Sequence, residues 1–152
     1  MNMKISINKN NLSELDEVIT LSVKVFHPSA EQLVKYHDNA DWIKKIENGG
    51  LLLSALIKNK IVGFVICYRK SPDILHIWNV GIDEEYRRMG IWNNLYNEIL
   101  DWAKQKNYKY VSLNTYKQKF PNMFTFAIKN NFVLDSEEVV DNTVKSRFIV
   151  RL

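Results

Sequence analysis

Apolar and polar residues alternate or recur along the chain in patterns that predict strands and helices in turn. Residues 3–8 alternate between the two kinds of side chain, which predicts a strand with one face exposed to water. Residues 11–26 carry apolar side chains three and four positions apart, which predicts an amphipathic helix. Asn11 followed by Glu14 is typical of a helix start, and Pro28 ends the pattern.

A second helix is expected next. Ser29 followed by Gln32 has the form of a capping box, in which each side chain bonds a backbone N–H near the other. Apolar residues continue at helical spacing as far as Ile46. Gly49 and Gly50 then end this helix, because glycine is unfavourable in a helix interior.

The rest of the chain adds strands and two more helices, and a turn at Asn59 and Lys60 should join two of the strands in a hairpin. The element order predicts an α+β, or mixed α/β, fold with one sheet of about seven strands flanked by about four helices. The fourth and fifth strands are joined by a helix, so they should be parallel. The added elements are strands 51–58, 61–69 and 74–82, helix 91–106, strand 108–116, helix 121–130, and strands 132–139 and 144–151.

Length and composition describe one ordinary domain. The 152 residues are 46% apolar and 25% charged, as in packed globular proteins, and we expect a single domain over residues 1–152. The one cysteine, Cys67, excludes an intramolecular disulfide, and no histidine or cysteine cluster has metal-ligand spacing. No apolar stretch approaches the roughly 18 residues of a membrane helix, and residues 1–11 lack a signal-peptide core. We therefore expect a cytoplasmic protein with neither a metal nor a membrane partner.

The net charge alone does not identify a partner. A formal charge of +4 suits a polyanionic partner and an anionic cofactor equally well. Aromatic residues, 12% of the chain, would suit RNA binding, but they follow the periods of the core and no RNP-like strand motif is present. Nucleic acid is therefore not expected as a partner.

One segment has the features of a phosphate site. Residues 80–92 contain a strand end, a short loop and a helix N-terminus, which leave several backbone N–H groups unpaired at the positive end of a helix. Arg87 and Arg88 add two positive side chains. The loop has too few glycines for the dinucleotide fingerprint or the P-loop. The pattern therefore favours the pyrophosphate of another kind of cofactor.

The same segment carries a resemblance to a known family. Tyr86 to Ile91, with the sequence Tyr-Arg-Arg-Met-Gly-Ile, resembles the Arg/Gln-x-x-Gly-x-Gly/Ala motif of the GCN5-related N-acetyltransferase (GNAT) superfamily. Residues 126–132 resemble the family's later Tyr-Glu-Lys-x-Gly-Phe segment, and the predicted order of elements matches as well. The resemblance spans essentially the whole chain, although its specific motifs occupy a small part of it.

The resemblance implies an acyl-CoA cosubstrate, acetyl-CoA, held where the fourth and fifth strands splay apart. The backbone of Val80 and Ile82 would pair with its pantetheine amides, and the N–H groups from Arg88 to Asn93 would bind its pyrophosphate. The implied binding residues are Val80, Gly81, Ile82, Arg87, Arg88, Met89, Gly90, Ile91, Trp92 and Asn93.

Two residues depart from the family pattern. Trp92 stands where the motif has a small residue that lets phosphate approach the backbone, so either its indole points away or the cofactor shifts, and we expect the indole to pack in the core. Ala127 stands where the family's usual general acid, a tyrosine, would lie, and it has no proton to donate. Catalysis would need a different proton donor or water.

The resemblance also indicates catalytic candidates. His76 lies eleven residues before Arg87, where several family members carry a glutamate or histidine base that removes a proton from the amine. A buried strand histidine bonded to a neighbour is the alternative. Tyr116, at the end of the fifth strand, would protonate the departing thiolate, contact the substrate or pack in the core. The N–H of Val80 would hold the carbonyl oxygen as negative charge develops on it.

Fewer residues indicate the acceptor. Unless a bulge intervenes, Trp78 should share a strand face with His76 and Val80, where it either walls the acceptor pocket or packs in the core. In this family the first two helices usually border the acceptor, and their acidic residues here would suit a cationic amine. The polar residues of that stretch are His27, Glu31, Tyr36, His37, Asp38 and Asp41.

The resemblance thus implies an N-acetyltransferase that moves an acetyl group from acetyl-CoA to an amine by direct attack in a ternary complex. The acceptor would be a small-molecule or peptide amine, and the chain a monomer or homodimer. Cys67, in an apolar strand, is expected to be inert, which disfavours a covalent cysteine intermediate. The alternative, favoured by Ala127, is a catalytically weak or inactive acyl-CoA-binding module with a regulatory or sensing role.

Overall fold

The computed structural model describes residues 4–27 and 39–152 of the chain. Seven strands form one sheet in this part of the chain, and four α-helices pack against it. The strands are β1 (Ser6–Lys9), β2 (Leu51–Ile57), β3 (Lys60–Ser71), β4 (Ile74–Ile82), β5 (Tyr110–Tyr116), β6 (Val133–Val140) and β7 (Thr143–Arg151). The helices are α1 (Leu15–Phe26), α2 (Asn39–Glu47), α3 (Ile91–Gln105) and α4 (Pro121–Lys129).

The sheet is mixed, and its strand order is β1-β2-β3-β4-β5-β7-β6. β4 and β5, which α3 connects, are parallel, and every other neighbouring pair is antiparallel. The predictions of a mixed α/β fold, of seven strands and four helices, and of a parallel central pair are confirmed for the described residues.

The first helix begins later than its sequence pattern suggests. Asn11 accepts hydrogen bonds from the N–H and the hydroxyl of Ser13 and starts a single 3-10 turn, which α1 follows. Glu14 does not bond back to Asn11, as a capping box would, because its carboxylate accepts from the side chain of Asn8 instead. His27 has a left-handed conformation with φ of 45°, and α1 ends at this residue.

The second helix is present where its C-terminal half is predicted. α2 ends at Glu47, just before Gly49 and Gly50, as expected for a helix stopped by glycine. The predicted capping box at residues 29–32 lies outside the described residues.

The hairpin after α2 turns one residue earlier than predicted. Lys58 and Asn59, rather than Asn59 and Lys60, form the turn between β2 and β3. Both turn residues have positive φ, 51° and 63°, which is the geometry that matches a two-residue turn to the twist of its strands. Lys60 therefore belongs to β3, which continues to Ser71, beyond its predicted end.

Two hydrophobic cores hold the helices on opposite faces of the sheet. On one face, α1 and α2 bury apolar residues such as Val18 and Trp42 against Phe64 of β3. On the other face, α3 and α4 pack over residues such as Leu113 of β5, and Ile99 of α3 is fully buried there. Burial of these apolar helix stripes keeps the sheet in the middle of a three-layer arrangement.

A β-bulge at Trp78 breaks the regular pairing of β3 with β4. Cys67 of β3 faces Ile77, but the residue before it, Ile66, faces Asn79, so Trp78 is an extra residue in β4. The pairing of β4 with β5 on its other side stops at Ile77, the same point. Beyond the bulge the two parallel strands separate, as predicted for a splayed pair.

The bulge also changes which residues of β4 share a face. Trp78 packs against Trp42 of α2 with ring centroids 5.0 Å apart, so it lies on the side of α1 and α2. Val80 packs with the core beneath α3 and α4. The expectation that His76, Trp78 and Val80 share one face is therefore wrong for Val80, because an extra residue reverses the alternation of the strand.

Gly81 lies where a ring of the core leaves no room for a side chain. A β-carbon at this position would lie 2.5 Å from the ring of Phe64, which is itself fully buried. Such a distance is far shorter than a carbon–carbon contact, so close packing explains the glycine near the end of β4.

We expect Gly81→Ala to lower the free energy of unfolding by about 1 to 3 kcal/mol, since the added methyl overpacks a buried site. Phe64→Leu removes the ring that the methyl would meet, so the double variant should lose less stability than the two single losses together. Urea unfolding of the wild type and the three variants measures these differences. Strictly additive losses would contradict the close contact.

Candidate functional site

The separation of β4 and β5 opens a cleft of about 790 Å³ at the carboxyl ends of these strands. Val80 of β4 and Asn114 of β5 lie on its walls. The other walls of the cleft are formed by the end of α1, the first turn of α2, the segment before α4 and the β6–β7 turn. Ligands of open α/β sheets usually bind outside the carboxyl ends of parallel strands, which makes this cleft the candidate functional site.

The backbone of β4 presents hydrogen-bonding groups to the open side. The N–H of Asp83, just after β4, donates to the Val62 carbonyl of β3 at 2.8 Å. Successive strand residues direct their backbone groups to opposite sides, so Val80 and Ile82 direct theirs away from β3. Arg87 agrees with this direction, since its Nε donates to the Ile82 carbonyl at 3.4 Å. Because β5 has already separated, the N–H groups of Val80 and Ile82 have no partner among the described strands.

A second set of free donors lies where α3 begins. The six N–H groups from Arg88 to Asn93 have no protein acceptor among the described residues. The first bond of the helix runs from the Asn94 N–H to the Gly90 carbonyl at 3.1 Å. Such a row of donors at the positive end of a helix fits the oxygens of a phosphate or pyrophosphate.

Two left-handed residues shape the loop before α3. Arg88 has φ of 65°, and Gly90 has φ of 78°. A β-carbon at Gly90 would meet no atom within 4 Å, so the space over this glycine is open. Glycine suits the position because its φ is positive and because a bare backbone lets a ligand approach closely.

Trp92 packs between α3 and α4. Its ring centroid lies 5.2 Å from that of Phe126 in α4 and 5.8 Å from that of Tyr96 in α3. The indole therefore packs with the core, as expected for a large residue at this position of the motif, and its buried Nε1 has no partner among the described residues. Ala127 is fully buried, so the position of the family's usual general acid belongs to the core.

His76 lies within the paired part of β4 and is not among the residues that line the cleft. Its side chain is 3% exposed, and its Nδ1 is hydrogen-bonded to the Ser112 hydroxyl at 2.7 Å. Burial, with the positive charges of Lys70 and Lys145, lowers the pKa of His76 from 6.5 to about 4. So weak a base takes a proton from an ammonium group poorly. These contacts favour the alternative of a buried strand histidine, and the role of general base stays a prediction.

Tyr116 lies on the cleft wall at the end of β5. The ammonium of Lys119 lies 5.5 Å from its ring centroid, and its hydroxyl has no hydrogen-bond partner in the described part of the chain. The phenol can therefore reach a ligand in the cleft without giving up a bond. Its role as the proton donor stays a prediction.

Aromatic and acidic side chains form the wall on the side of α1 and α2. Phe26 packs edge-on against Phe120 with centroids 6.1 Å apart. Trp78 is 37% exposed, so it lines the cleft as well as packing on a core residue. Asp41 is paired with Lys45 at 2.8 Å. Of the other polar residues expected here, His27 does not line the cleft, and Glu31, Tyr36, His37 and Asp38 lie outside the described residues.

The sequence does not indicate two parts of the site. Asp141 and Thr143 of the β6–β7 turn lie on the cleft wall. Asp141 and Asn142 form a turn with positive φ between β6 and β7. The turn lies beside the cleft because β7 lies between β5 and β6, a strand order that the local sequence does not indicate. Asp83 is the second part that the sequence does not indicate. Its side chain is only 2% exposed, and nothing in the neighbouring sequence predicts that it is buried.

The described residues, 4–27 and 39–152, contain neither a metal-binding cluster nor a membrane-spanning helix. No three histidine, cysteine, aspartate or glutamate side chains gather there as metal ligands. None of the helices in those ranges is long and apolar enough to span a membrane. Cys67 is buried, and burial raises the pKa of its thiol, which agrees with an inert cysteine.

The lowered pKa of His76 predicts a loss of stability in acid. Because its pKa is lower in the folded chain than the unfolded value of 6.5, protonation favours unfolding, and stability is lost as the pH falls from 6.5 towards 4. Between pH 7 and 4.5 we expect His76→Gln to lose less stability than the wild type, by about 2 to 3 kcal/mol. Urea unfolding at both pH values measures this, and equal losses in the two chains would show an unperturbed histidine.

Sequence and structure comparisons agree on one family. The sequence profile of the acetyltransferase (GNAT) family matches residues 15–126. No curated protein sequence matches the chain.

Solved structures share the fold over nearly the whole chain. PaiA N-acetyltransferase from Thermoplasma acidophilum, in complex with coenzyme A, is 19% identical, with a TM-score of 0.78 over 99% of this chain and 100% of its own. Ard1 from Thermoplasma volcanium is 16% identical, with a TM-score of 0.79 over 97% of each chain. A GNAT family acetyltransferase from Elizabethkingia anophelis, with acetyl-CoA bound, is 18% identical, with a TM-score of 0.70 over 97% of this chain and 98% of its own. Since the family profile covers most of its length, the chain belongs to the GNAT acetyltransferase family.

Proposed function

We propose that this chain is an N-acetyltransferase that transfers an acetyl group from acetyl-CoA to an amine acceptor. The observation that carries the proposal is the presence of two sets of backbone donors without a partner among the described residues, one on β4, where Val80 lines the cleft, and one where α3 begins. One set lies on β4 at Val80 and Ile82, and the other runs from Arg88 to Asn93. Family membership supports it, as do relatives solved with coenzyme A or acetyl-CoA bound.

The chemistry of these donors suits the parts of acetyl-CoA. An extended arm with amide groups can pair with the exposed backbone of Val80 and Ile82 in the manner of an added strand. The pyrophosphate suits the N–H groups at the start of α3, where Arg87 and Arg88 add positive charge. Gly81 and Met89 lie within these two segments, which would contribute their backbone rather than their side chains.

Acetyl transfer forms a carbon–nitrogen bond and breaks the carbon–sulfur bond of a thioester. In this proposal the N–H of Val80 donates to the carbonyl oxygen as negative charge develops on it. Tyr116 donates a proton to the departing thiolate, a role that Ala127 cannot fill. The amine loses its proton to water in the cleft, because His76 is buried and a weak base.

The acceptor wall favours an amine that carries positive charge next to apolar or aromatic groups. Phe26, Trp78 and Phe120 offer aromatic surface, and aromatic faces attract cations as well as apolar groups. Asp41 and Asp141 bring carboxylates to the same cleft. Both a small molecule and a peptide N-terminus or lysine could present such an amine.

A second candidate function is a regulatory module that binds acyl-CoA without turning it over. The burial of Ala127 favours it, since the family's usual proton donor is replaced by a core residue. Tyr116 is the feature that argues for catalysis instead, because its hydroxyl lies on the cleft wall and has no hydrogen-bond partner among the described residues.

The first test concerns cofactor binding through Gly90→Val. The branched side chain would fill the open space over the loop, and the positive φ of this position is strained for valine. At about one hundred times Kd, acetyl-CoA should stabilise the wild type by about 2.7 kcal/mol, an increase of several degrees in Tm. We expect thermal unfolding of Gly90→Val to show no such increase.

Gly49→Val is the matched control for this variant. Gly49 also has positive φ, 86°, but it lies between α2 and β2, away from the cleft. The control should lose stability and still respond to acetyl-CoA. No response of the wild type would contradict the proposal, and a full response of Gly90→Val would mean that phosphate binds elsewhere.

The second test separates the enzyme from the regulatory module. Thiol release from acetyl-CoA is measured with a panel of small amines, amino acids and peptides, and we expect release that depends on the acceptor. Tyr116→Phe should then lower kcat at least about tenfold without changing affinity for coenzyme A, because only the hydroxyl is removed. Tyr110→Phe, at the other end of β5, is the control and should turn over normally. Tight binding without release for any acceptor would favour the regulatory module.

A further inference from the structure

Asp83 is a buried carboxylate between the two sets of backbone donors. It directly follows β4 and precedes a short 3-10 turn, Glu84–Tyr86, which leads through Arg88 into α3. Only 2% of its side chain is exposed. A charge so deeply buried requires partners, and the identity of those partners shows what the residue holds in place.

Three groups of Asp83 are bonded to three different parts of the fold. Its Oδ1 accepts from the Glu85 N–H at 3.2 Å and thereby caps the turn. Its Oδ2 accepts from Nζ of Lys24 at 3.2 Å, and its N–H donates to the Val62 carbonyl. Burial alone would raise the pKa of this carboxyl, but the bonds from Glu85 and Lys24 lower it below its usual range, so the group is ionised at neutral pH.

Lys24 connects this carboxylate with the acceptor side of the cleft. It lies on α1, two residues before Phe26, which forms part of the cleft wall. The side chain of Lys24 is 57% exposed, so water screens its charge, whereas its partner is shielded. The ion pair therefore joins a helix of the acceptor wall to the loop that carries the phosphate donors.

The other contacts of this loop reach different elements. Nζ of Lys60 in β3 lies 5.5 Å from the ring centroid of Tyr86, and Arg87 donates to the Ile82 carbonyl of β4. Both contacts tie the loop to the sheet, one to β3 and the other to β4, the strand that it follows. Among the side-chain hydrogen bonds and ion pairs of the described residues, the bond between Lys24 and Asp83 is the one that ties this loop to α1.

We propose that Asp83 is a positioning residue for acetyl-CoA, an inference that rests on the function proposed above. One carboxylate oxygen fixes the turn that begins the loop, and the other fixes the loop against α1. The N–H groups from Arg88 to Asn93 are thereby held in one direction before the ligand arrives, which lowers the ordering cost of binding. Asp83 acts through these groups and does not itself contact the ligand.

Three substitutions separate the two roles of the carboxylate. Asp83→Asn keeps an oxygen for the Glu85 N–H but removes the charge. Lys24→Met keeps the length of the side chain but removes the ammonium, and Asp83→Ala removes both contacts. Lys44→Met is the matched control, because Lys44 is an exposed lysine of α2 with no ion pair in the described part of the chain.

Isothermal titration of each variant with coenzyme A measures the effect. We expect Kd to rise about fivefold to tenfold in Asp83→Asn and Lys24→Met, more in Asp83→Ala, and less than about twofold in Lys44→Met. In steady-state assays KM for acetyl-CoA should rise in parallel, while kcat and KM for the amine stay within about twofold. A merely structural role would lower the unfolding temperature of the free protein without this selective rise in KM.

The outcomes distinguish the failure of this inference from the failure of the proposed function. Wild-type affinity for coenzyme A in folded Asp83→Asn and Lys24→Met would overturn the positioning role and leave the proposed function intact. No binding of coenzyme A by the wild type would overturn both. If Asp83→Ala does not fold, the two milder variants decide the question against the Lys44→Met control.

Discussion

The extra residue at Trp78 is the constraint on which the rest of the site depends. A regular β4 would continue its pairing with β5 and leave no space between the two strands. The bulge gives β4 two residues where β3 has one, and the parallel pair separates after Ile77. It also directs Trp78 to the side of the sheet covered by α1 and α2, and Val80 to the core beneath α3 and α4. One insertion thus creates the cleft, supplies an aromatic residue to its wall and leaves strand backbone without a partner beside it.

Backbone N–H groups without a partner normally destabilise a fold. This protein nevertheless has two sets of such groups, on β4 and at the start of α3, with no partner among the described residues. Those at the start of α3 are the unpaired N–H groups that every helix has, extended backwards by the left-handed residues Arg88 and Gly90. The helix itself is anchored by buried residues such as Leu95 and Ile99, so its first turn cannot move to find other acceptors. A rigid core on one side and open space over Gly90 on the other make the arrangement suited to an anionic ligand.

Local patterns predict most of the fold and the loop before α3, whereas they do not predict long-range geometry. The bounds of β4 agree with its run of β-branched and aromatic residues, and the loop around Gly90 follows from its motif. Gly81 indicates a possible bulge or a close backbone approach near the end of β4, but it does not locate the extra residue, which lies three positions earlier at Trp78. The nearness of Asp141 to the cleft depends on strand order. The burial of His76 and its lowered pKa depend on neighbours from other strands, which the residues around it in β4 do not indicate.

The splayed sheet also explains why side-chain contacts between distant elements matter here. β4 stays attached to β3, and β5 to β7, but the two halves of the sheet share only four residue pairs, from Ile74 to Ile77. The helices on both faces must therefore supply the rigidity that continuous pairing would give. On one face this is done by apolar packing of α3 and α4. On the other, α1 is joined to the end of β4 through the ion pair of Lys24 with Asp83, beyond the reach of the sheet's own hydrogen bonds. Because the cleft interrupts the backbone pairing of β4 with β5, side-chain contacts must hold the separated ends of these strands in place.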